Sequence, residues 1–265
     1  MKKTILSLIF LVSLSQSAFA QPDKAYYLEK YYLDVPVLQI PEFLEMHKLV
    51  TDASMTSEKR TLIGHYVARH MYAGKASIVM YDTYESLEDK QNDDLWGALY
   101  EHASSMTDSD SVAFVAKAQT WFRLFLEGHT DEIRVVRPTG FGAADWQSPG
   151  VIVLGYYTPK WADMNTFAGY WKEMEVANEK CGYMSGSRLS THYSGSGPTI
   201  ETASFYDSWD AFASHQKEIE GCRVANIDIQ LMTNYWSIAG EHWDEIYIPA
   251  GSVVNGVFEL SQHFK

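Results

Sequence analysis

The feature that most constrains this sequence is an internal duplication. Residues 81–87 (YDTYESL) return as 206–212 (YDSWDAF), and Gln91 keeps step with Gln216. Three further stretches align in the same order: 43–50 (FLEMHKLV) with 167–174 (FAGYWKEM), 64–74 with 186–196, and 129–133 (HTDEI) with 242–246 (HWDEI). The second of these sets His70 on His192. Only loop lengths drift between the copies. An internal repeat has to be recognised first, because each copy is one structural unit that must find a partner for its apolar face.

Each copy reads strand, helix, strand, strand, helix, strand. In the second, 151–157 is a short β-rich run that Pro159 breaks, and 162–180 carries Phe167, Tyr170, Trp171 and Met174 at helical spacing. Cys181-Gly182 ends that helix, since glycine is a favoured stop. Stretches 185–193 and 199–206 alternate about a Ser-Gly-Ser-Gly-Pro turn, a hairpin signal. Helices are expected over 208–220 and 225–238. A last strand containing Tyr247 is expected to stop at Pro249, leaving 251–265 as a C-terminal tail. The repeats occupy 21–140 and 150–250. A βαββαβ unit is the ferredoxin-like split βαβ of the α+β class. Its sheet has one bare face, and the second copy's sheet is the obvious cover. Two such repeats would therefore form one barrel.

The ordered βαββαβ repeat, with its Tyr-Asp segments, resembles the dimeric α-β barrel superfamily, with both halves fused in one chain as a pseudo-dimer. The resemblance covers most of residues 25–250. It implies a small-molecule ligand and a range of activities: cofactor-independent monooxygenases, haem-degrading or haem-dependent enzymes, and small-molecule lyases or isomerases. Haem is thus one cofactor it allows. Under it the protein stands alone as a pseudo-dimer or assembles as a homo-oligomer.

Strand parity separates the two faces of each sheet, because successive side chains point to opposite sides. Val67 and Leu189 take the helix-facing parity of the second strand, which turns Tyr66, Ala68 and His70 in one copy, and Arg188, Ser190 and His192 in the other, into the barrel. In the third strand Ile78 and Met80 match Ala203 and Phe205 toward the helices, leaving Tyr81 and Tyr206 inside. In the fourth, Ile133 and Ile246 face the helices and Glu132 and Glu245 point inward. Such an interior is more polar than a barrel needs. Its groups either satisfy one another across the pseudo-axis or converge on a ligand. In the second case His70 or His192 is the general base or an axial haem ligand, oriented by Glu132 or Glu245. Tyr66, Tyr81, Arg188, Ser190 and Tyr206 then bind the ligand. The mismatch of Arg188 with Tyr66 singles out the second copy as the half with a task.

Other signals are weaker. His129/Asp131 and His242/Asp244 place imidazole and carboxylate two residues apart, but two ligands per copy fall short of a metal site, and no metal is expected. The Tyr-Asp segments sit where a strand hands over to a helix, with Thr83 or Ser208 as N-cap. Asp82 is read as part of that structural handover. His47, His65, His102, His215 and His263 have no consistent partners in the sequence. There is no nucleotide-binding glycine loop, nucleophile elbow or zinc helix.

The ends and the composition bound the class. Lys2 and Lys3, an apolar stretch from Ile5 to Leu14 and Ala18-Phe19-Ala20 read as a bacterial Sec-type signal peptide over 1–20, cleaved after Ala20. The apolar stretch is shorter than the ~20 residues that span a bilayer, and no cysteine follows it to carry a lipid, so no membrane anchor is expected. The mature chain is expected in the periplasm or medium. About 245 residues then remain, enough for one large or two small domains. With 17 Tyr, 12 Phe and 8 Trp they can build a core. A formal charge of −13 argues against nucleic acid, whose phosphates need Lys and Arg. An oxidising compartment favours a disulfide between Cys181 and Cys222. The topology argues against one, because Cys181 ends one helix of its unit and Cys222 follows the next, antiparallel helix. Function stays open between an exported enzyme acting on a small or aromatic molecule and a non-catalytic protein, either a periplasmic ligand carrier or a structural or stress-related envelope protein.

Overall fold

Two chain segments each form a four-stranded antiparallel block, and the blocks join edge to edge into one sheet. The computed structural model describes residues 25–72, 76–142 and 150–264; the expected signal peptide lies outside the described residues. In the first half, β1 (Tyr26–Leu33) leads to α1 (Ile40–Ser54), β2 (Gly64–Tyr72) and β3 (Ile78–Tyr84). Three helices follow, α2 (Leu87–Asn92), α3 (Leu95–Ser104) and α4 (Asp108–Leu126), before β4 (Thr130–Gly142). The second half runs β5 (Val151–Tyr157), α5 (Met164–Cys181), β6 (Gly186–Gly195), β7 (Ile200–Tyr206), α6 (Trp209–Asn226), α7 (Ile229–Ile238) and β8 (His242–Val254), and then adds β9 (Val257–Leu260).

The strands lie in the order β2-β3-β1-β4-β6-β7-β5-β8-β9, and β2 also pairs with β8. Every pairing is antiparallel. The first eight strands of that order close into a barrel, which removes the exposed edges an open sheet would carry, and β9 hangs outside the ring on β8. The helices cover the outside. Helix α1 lays Phe43, Leu44 and Val50 on Val67, Ile78 and Met80 of the sheet. Helix α5 lays Phe167, Trp171 and Met174 on Leu189 and Ile200, with Tyr235 of α7. Among the described residues no helix is long and apolar enough to cross a membrane.

The ladders correct the expected match of the Tyr-Asp segments. Gly64 pairs with Thr83 and Gly186 with Phe205, so Tyr206 answers to Tyr84 rather than Tyr81. The helix caps follow the same shift: Ser86 accepts from the Asp89 N–H at the start of α2, and Ser208 from the Ala211 N–H at the start of α6. Thr83, the expected cap, lies within β3 and donates to the Gly64 carbonyl. A three-residue slip inverts the faces, because the side-chain period is two. Tyr206 therefore packs on the helix side with Val151 and Phe212, while Ala203 and Phe205 belong to the barrel interior.

Two other expectations change. Cys181 and Cys222 form a disulfide, with their Cα atoms 6.1 Å apart. Helical structure after β7 is broken into two pieces at Ile227-Asp228, and the piece whose Tyr235, Leu231 and Met232 pack with α5 is α7. Helix α6 is thereby freed to run on to Asn226, and its last turns meet the C-terminal end of α5, where Arg223 donates to the Asn178 side-chain carbonyl at 3.2 Å. Nor do residues 251–264 form a tail. Strand β8 passes through Pro249, which faces Ala68 at a register shift, a place where a missing N–H is tolerated. Asn255 and Gly256, with φ of 51° and 79°, then turn the chain into β9, as an Asn-Gly pair between strands favours. That hairpin buries Phe258 in the core of the first half. The Phe258 N–H donates to Asp52 and its carbonyl accepts from Lys48, both at 2.6 Å.

Inside the barrel, apolar and aromatic side chains from strands of both halves, including Leu28, Tyr66, Val79, Tyr81, Ile152, Leu154, Phe205 and Tyr247, surround a buried charge network. The Lys30 ammonium pairs with Glu201 and lies 4.4, 5.2 and 5.0 Å from the ring centres of Tyr32, Tyr81 and Tyr156. Arg134 pairs with Glu132 at 2.6 Å and donates to Ser190 at 2.7 Å. Lys30 and Arg134 are both fully buried. Burial lowers the Lys30 pKa, against the opposing charges of Glu201 and Glu132.

Removing one partner of a buried pair leaves an uncompensated charge, costing about 3–5 kcal/mol, whereas replacing both with apolar groups is often near neutral. We therefore expect Glu201→Gln to lower the chemical-denaturation stability by that amount and the double variant Lys30→Met/Glu201→Leu to recover most of it. A double variant as unstable as the single would show that the pair contributes more than charge compensation.

Candidate functional site

The residues expected at the site are mostly used up by the barrel's own bonding. Glu132 accepts from Tyr32 Oη at 2.7 Å as well as from Arg134, and Glu245 accepts from Tyr156 and Tyr247 at 3.1 and 2.6 Å. Among the described residues, neither carboxylate is bonded to a histidine. His70 is half-buried with its ring 5.4 Å from that of Tyr247. His192 is half-buried, and its Nε2 lies 3.1 Å from the Gly195 carbonyl at the end of the β6 hairpin. Tyr66 and Tyr81 do line the interior. Ser190 holds Arg134. Arg188 spends its guanidinium on the carbonyls of Phe141, Ser187 and Gly142 at 2.8, 2.6 and 2.7 Å. Tyr206, on the other face, bonds His215 Nδ1 at 2.7 Å.

A cavity of about 340 Å³ opens elsewhere, between the helix-facing side of the first half's sheet and helices α1, α3 and α4. Its floor is a row of residues in register. His65 of β2 stands opposite Asp82 of β3, and Asp82 opposite Glu29 of β1. The next row adds Met80, Tyr31 and Asp131. Tyr31, Trp96, Trp121, Phe122 and Phe125 supply aromatic walls. The positions that pair the same way in the second half are Ser187, Ser204 and Val153, so this row of imidazole and carboxylates is particular to the first half.

One chain of hydrogen bonds decides the protonation of the row. Trp121 Nε1–H can only donate, and it gives its proton to His47 Nδ1 at 3.0 Å. His47 must then carry its own hydrogen on Nε2, which lies 2.7 Å from His65 Nε2. That nitrogen has to accept, so the His65 hydrogen sits on Nδ1 and is donated to Asp82 Oδ1 at 2.5 Å. Both imidazoles are neutral, and every ring nitrogen is engaged. Burial holds the His47 pKa well below the ordinary histidine value, with His65 and Arg60 adding to the effect. Phe258 closes the back of this chain, its ring 5.0 Å from that of His47 and 5.7 Å from that of His65. The second half thus helps to build the first half's site.

The carboxylates face different partners. Burial lifts the Glu29 pKa; Tyr31 and Lys90 pull it back, and the charge of Asp82 pushes it up again. Lys90 pairs with Glu29 at 3.1 Å, and Arg60 with Asp93 at 2.9 Å. Asp82 is 8 % exposed, and only its Oδ1 is bonded among the described residues. Its second oxygen is the free acceptor at the cavity floor.

No protein-family model matches the sequence, and no curated protein matches it. Solved structures do. An anthrone oxidase-like protein superposes with a TM-score of 0.56 at 8 % identity, covering 88 % of this chain and 94 % of its own. A candidate monooxygenase from Fusobacterium nucleatum subsp. nucleatum gives 0.55 at 12 % identity over 91 % and 100 %. One from Lactobacillus acidophilus gives 0.52 at 14 % over 90 % and 97 %. At these identities the likeness concerns the course of the chain. The fold is that of the dimeric α-β barrel.

Haem, which the resemblance allows, does not fit the residues of this dimeric α-β barrel. Its interior is occupied by Lys30, Arg134 and their bonded neighbours, and both nitrogens of His47 and His65 are already engaged. Haem's two propionates would also meet Asp94 and Asp131 on the cavity wall.

Because folded His47 resists protonation while the unfolded chain titrates near a pKa of about 6.5, the unfolded state takes up more protons below that pH. The stability His47 contributes is therefore present above about pH 6.5 and lost as pH falls. His215, lowered by burial to about 4, acts in the same sense; the raised Glu29 acts in the opposite sense. Comparing denaturation midpoints at neutral and mildly acidic pH isolates His47. The wild type is expected to lose more stability than His47→Phe, and equal losses would contradict the bonding chain.

Proposed function

We propose that this is an exported protein in which two fused ferredoxin-like repeats form a pseudo-dimeric α-β barrel and have diverged in role. The second repeat completes the barrel. The first binds a small, largely apolar or aromatic molecule in its helix-side cavity and moves a proton on it. The observation that carries this reading is the in-register row of His65, Asp82 and Glu29 facing a cavity, where the other repeat has Ser187, Ser204 and Val153.

Asp82 is the proton acceptor in this reading. Its Oδ1 is fixed by His65, which is oriented in turn by His47 and Trp121, so the free oxygen has one direction in which to point. Glu29 lies across the ladder from it. The two carboxyls are neighbours across the ladder, and the charge of Asp82 adds to burial in raising the Glu29 pKa. One member can receive a proton while the other supplies one, and burial of Glu29 favours its protonated form. Trp121, Phe122 and Phe125 exclude water from the transfer. The Cys181–Cys222 disulfide supports the export reading, because such bonds persist in oxidising compartments.

Screening small aromatic fragments by ligand-observed NMR tests both parts. Fragments that bind the wild type are expected to lose binding in Leu62→Trp, which fills the cavity, and to keep it in Tyr66→Phe, inside the barrel. The reverse pattern would move the site into the barrel. For a bound fragment with an acidic C–H, deuterium wash-in from solvent is expected to stop in Asp82→Asn. If exchange continued unchanged, the protein would be a carrier rather than a proton-transfer enzyme.

A further inference from the structure

Two helices of equal length cover the second half, and they are seated very differently. Helices α5 and α6 have 18 residues each, and α5 buries seven of them, Phe167, Trp171 and Met174 included. Among the described side chains of α6, His215 alone is buried. The start of α6 is held by Phe212, which packs with Val151 and Tyr206, and by the bond of His215 Nδ1 to Tyr206 at 2.7 Å. From Gln216 to Asn226 the helix has little to bury. Lys217, Glu218, Glu220 and Asn226 are exposed, and Ile219, Cys222 and Arg223 are the half-buried members among the described side chains. Just past the helix, Ile227 returns to the apolar cluster of α5 and α7.

The surface under this segment is polar as well. Arg223 Nε donates to Asn178 Oδ1 at 3.2 Å, and Asn178 Nδ2 donates to Glu175 Oε1 at 2.6 Å. Hydrogen bonds that water can replace add little net stability. Gly221 weakens the helix further, since glycine is a poor helix former. A Cβ there would meet nothing within 4 Å, so no close approach requires it. Against this loose seating stands one strong link, the Cys181–Cys222 disulfide, which ties α6 to the last residue of α5. Both cysteines are half-buried rather than sealed in the core, and access of this kind is what thiol exchange needs.

We propose that this disulfide is a redox latch. Closed, it holds residues 216–226 on the end of α5. Reduced, it lets that segment come away as a unit between its two seated ends, His215 and Ile227, while the barrel stays folded. A dithiol reductant opens it: one thiolate attacks a cystine sulfur and displaces the other as a thiolate, and the second thiol resolves the mixed disulfide. The protein gains two electrons and two protons as a pair of thiols, and the reductant leaves as its own disulfide. Detachment withdraws Arg223 from Asn178 and opens the Asn178–Glu175 pair to water. Under the export reading, and for this step alone, the latch stays open in a reducing compartment and closes after export by exchange with a disulfide oxidant.

Hydrogen–deuterium exchange of the mature chain, read by mass spectrometry with and without dithiothreitol, tests the latch. Reduction is expected to cut the protection of the 216–226 amides about tenfold or more and to leave α1 and the barrel strands unchanged. The variant Cys181→Ala/Cys222→Ala is expected to match the reduced chain with no reductant present. In the oxidised chain, Arg223→Ala is expected to keep the protection of 216–226 within about twofold. Unchanged protection of that segment on reduction would overturn the latch. So would a loss spread evenly over the barrel, which would make the disulfide a fastener of the whole fold. A loss in Arg223→Ala as large as that on reduction would put the hold in the Arg223–Asn178 bond and overturn it too. These readouts are independent of the ligand cavity in the first half.

Discussion

A lysine ammonium with no solvent around it has to be paired, and the pairing of Lys30 with Glu201 decides where the rest of this molecule can place its chemistry. Lys30 comes from β1 of the first half and Glu201 from β7 of the second. The same interior holds Arg134 of β4 between Glu132 and Ser190 of β6. The Lys30–Glu201 pair runs across the joined halves, so the barrel closes around two charges that each half alone would leave unmatched. Once they are matched, the hydroxyls of Tyr32, Tyr156 and Tyr247 fill the remaining acceptor positions on Glu132 and Glu245. The interior is a polar core, and room for a ligand is left on the helix-covered outside.

That outer face differs between the halves by a few side chains with large chemical consequences. Where the first half has His65 and Asp82, the second has serines, and where it has Glu29, the second has valine. The position of His47 on α1 is taken on α5 by Trp171, a buried member of an apolar cluster. The second half instead ties its helices with a disulfide and lends its β8–β9 hairpin to the first, where Phe258 packs against both histidines. The row of His65, Asp82 and Glu29 belongs to the first half. The site therefore depends on barrel closure even though it lies outside the barrel.

Much of the architecture was legible in the duplicated pattern. The run of strands and helices along the chain, the helical stripe that holds Phe167, and the inward parity of Glu132, Tyr66 and Tyr81 all follow from alternation and helical spacing. The site was not, for a specific reason. Matching the two Tyr-Asp segments by identity put Tyr206 on Tyr81, three residues from the ladder register, and an odd slip exchanges the faces of a strand. The exchange sets Tyr206 inside and matches Asp82 to Asp207 at a helix start, whereas the ladders match Asp82 to Ser204. Aligned on Ser86 and Ser208, the two caps, the helix-facing mismatches His65/Ser187, Asp82/Ser204 and Glu29/Val153 would have stood out. Asn255-Gly256 between apolar runs was likewise a readable hairpin signal. The links from Trp121 to His47 and from Lys30 to Glu201 join residues 74 and 171 positions apart, and no local pattern announces contacts of that range.

The central claim is that a one-way chain of donors from Trp121 through His47 and His65 fixes one Asp82 oxygen and turns the other toward the cavity. Long-range proton–nitrogen NMR correlation of the histidine rings near neutral pH tests it directly. The account predicts two neutral imidazoles in opposite tautomers, His47 protonated on Nε2 and His65 on Nδ1. An imidazolium at either residue, or the reverse pair of tautomers, would contradict it.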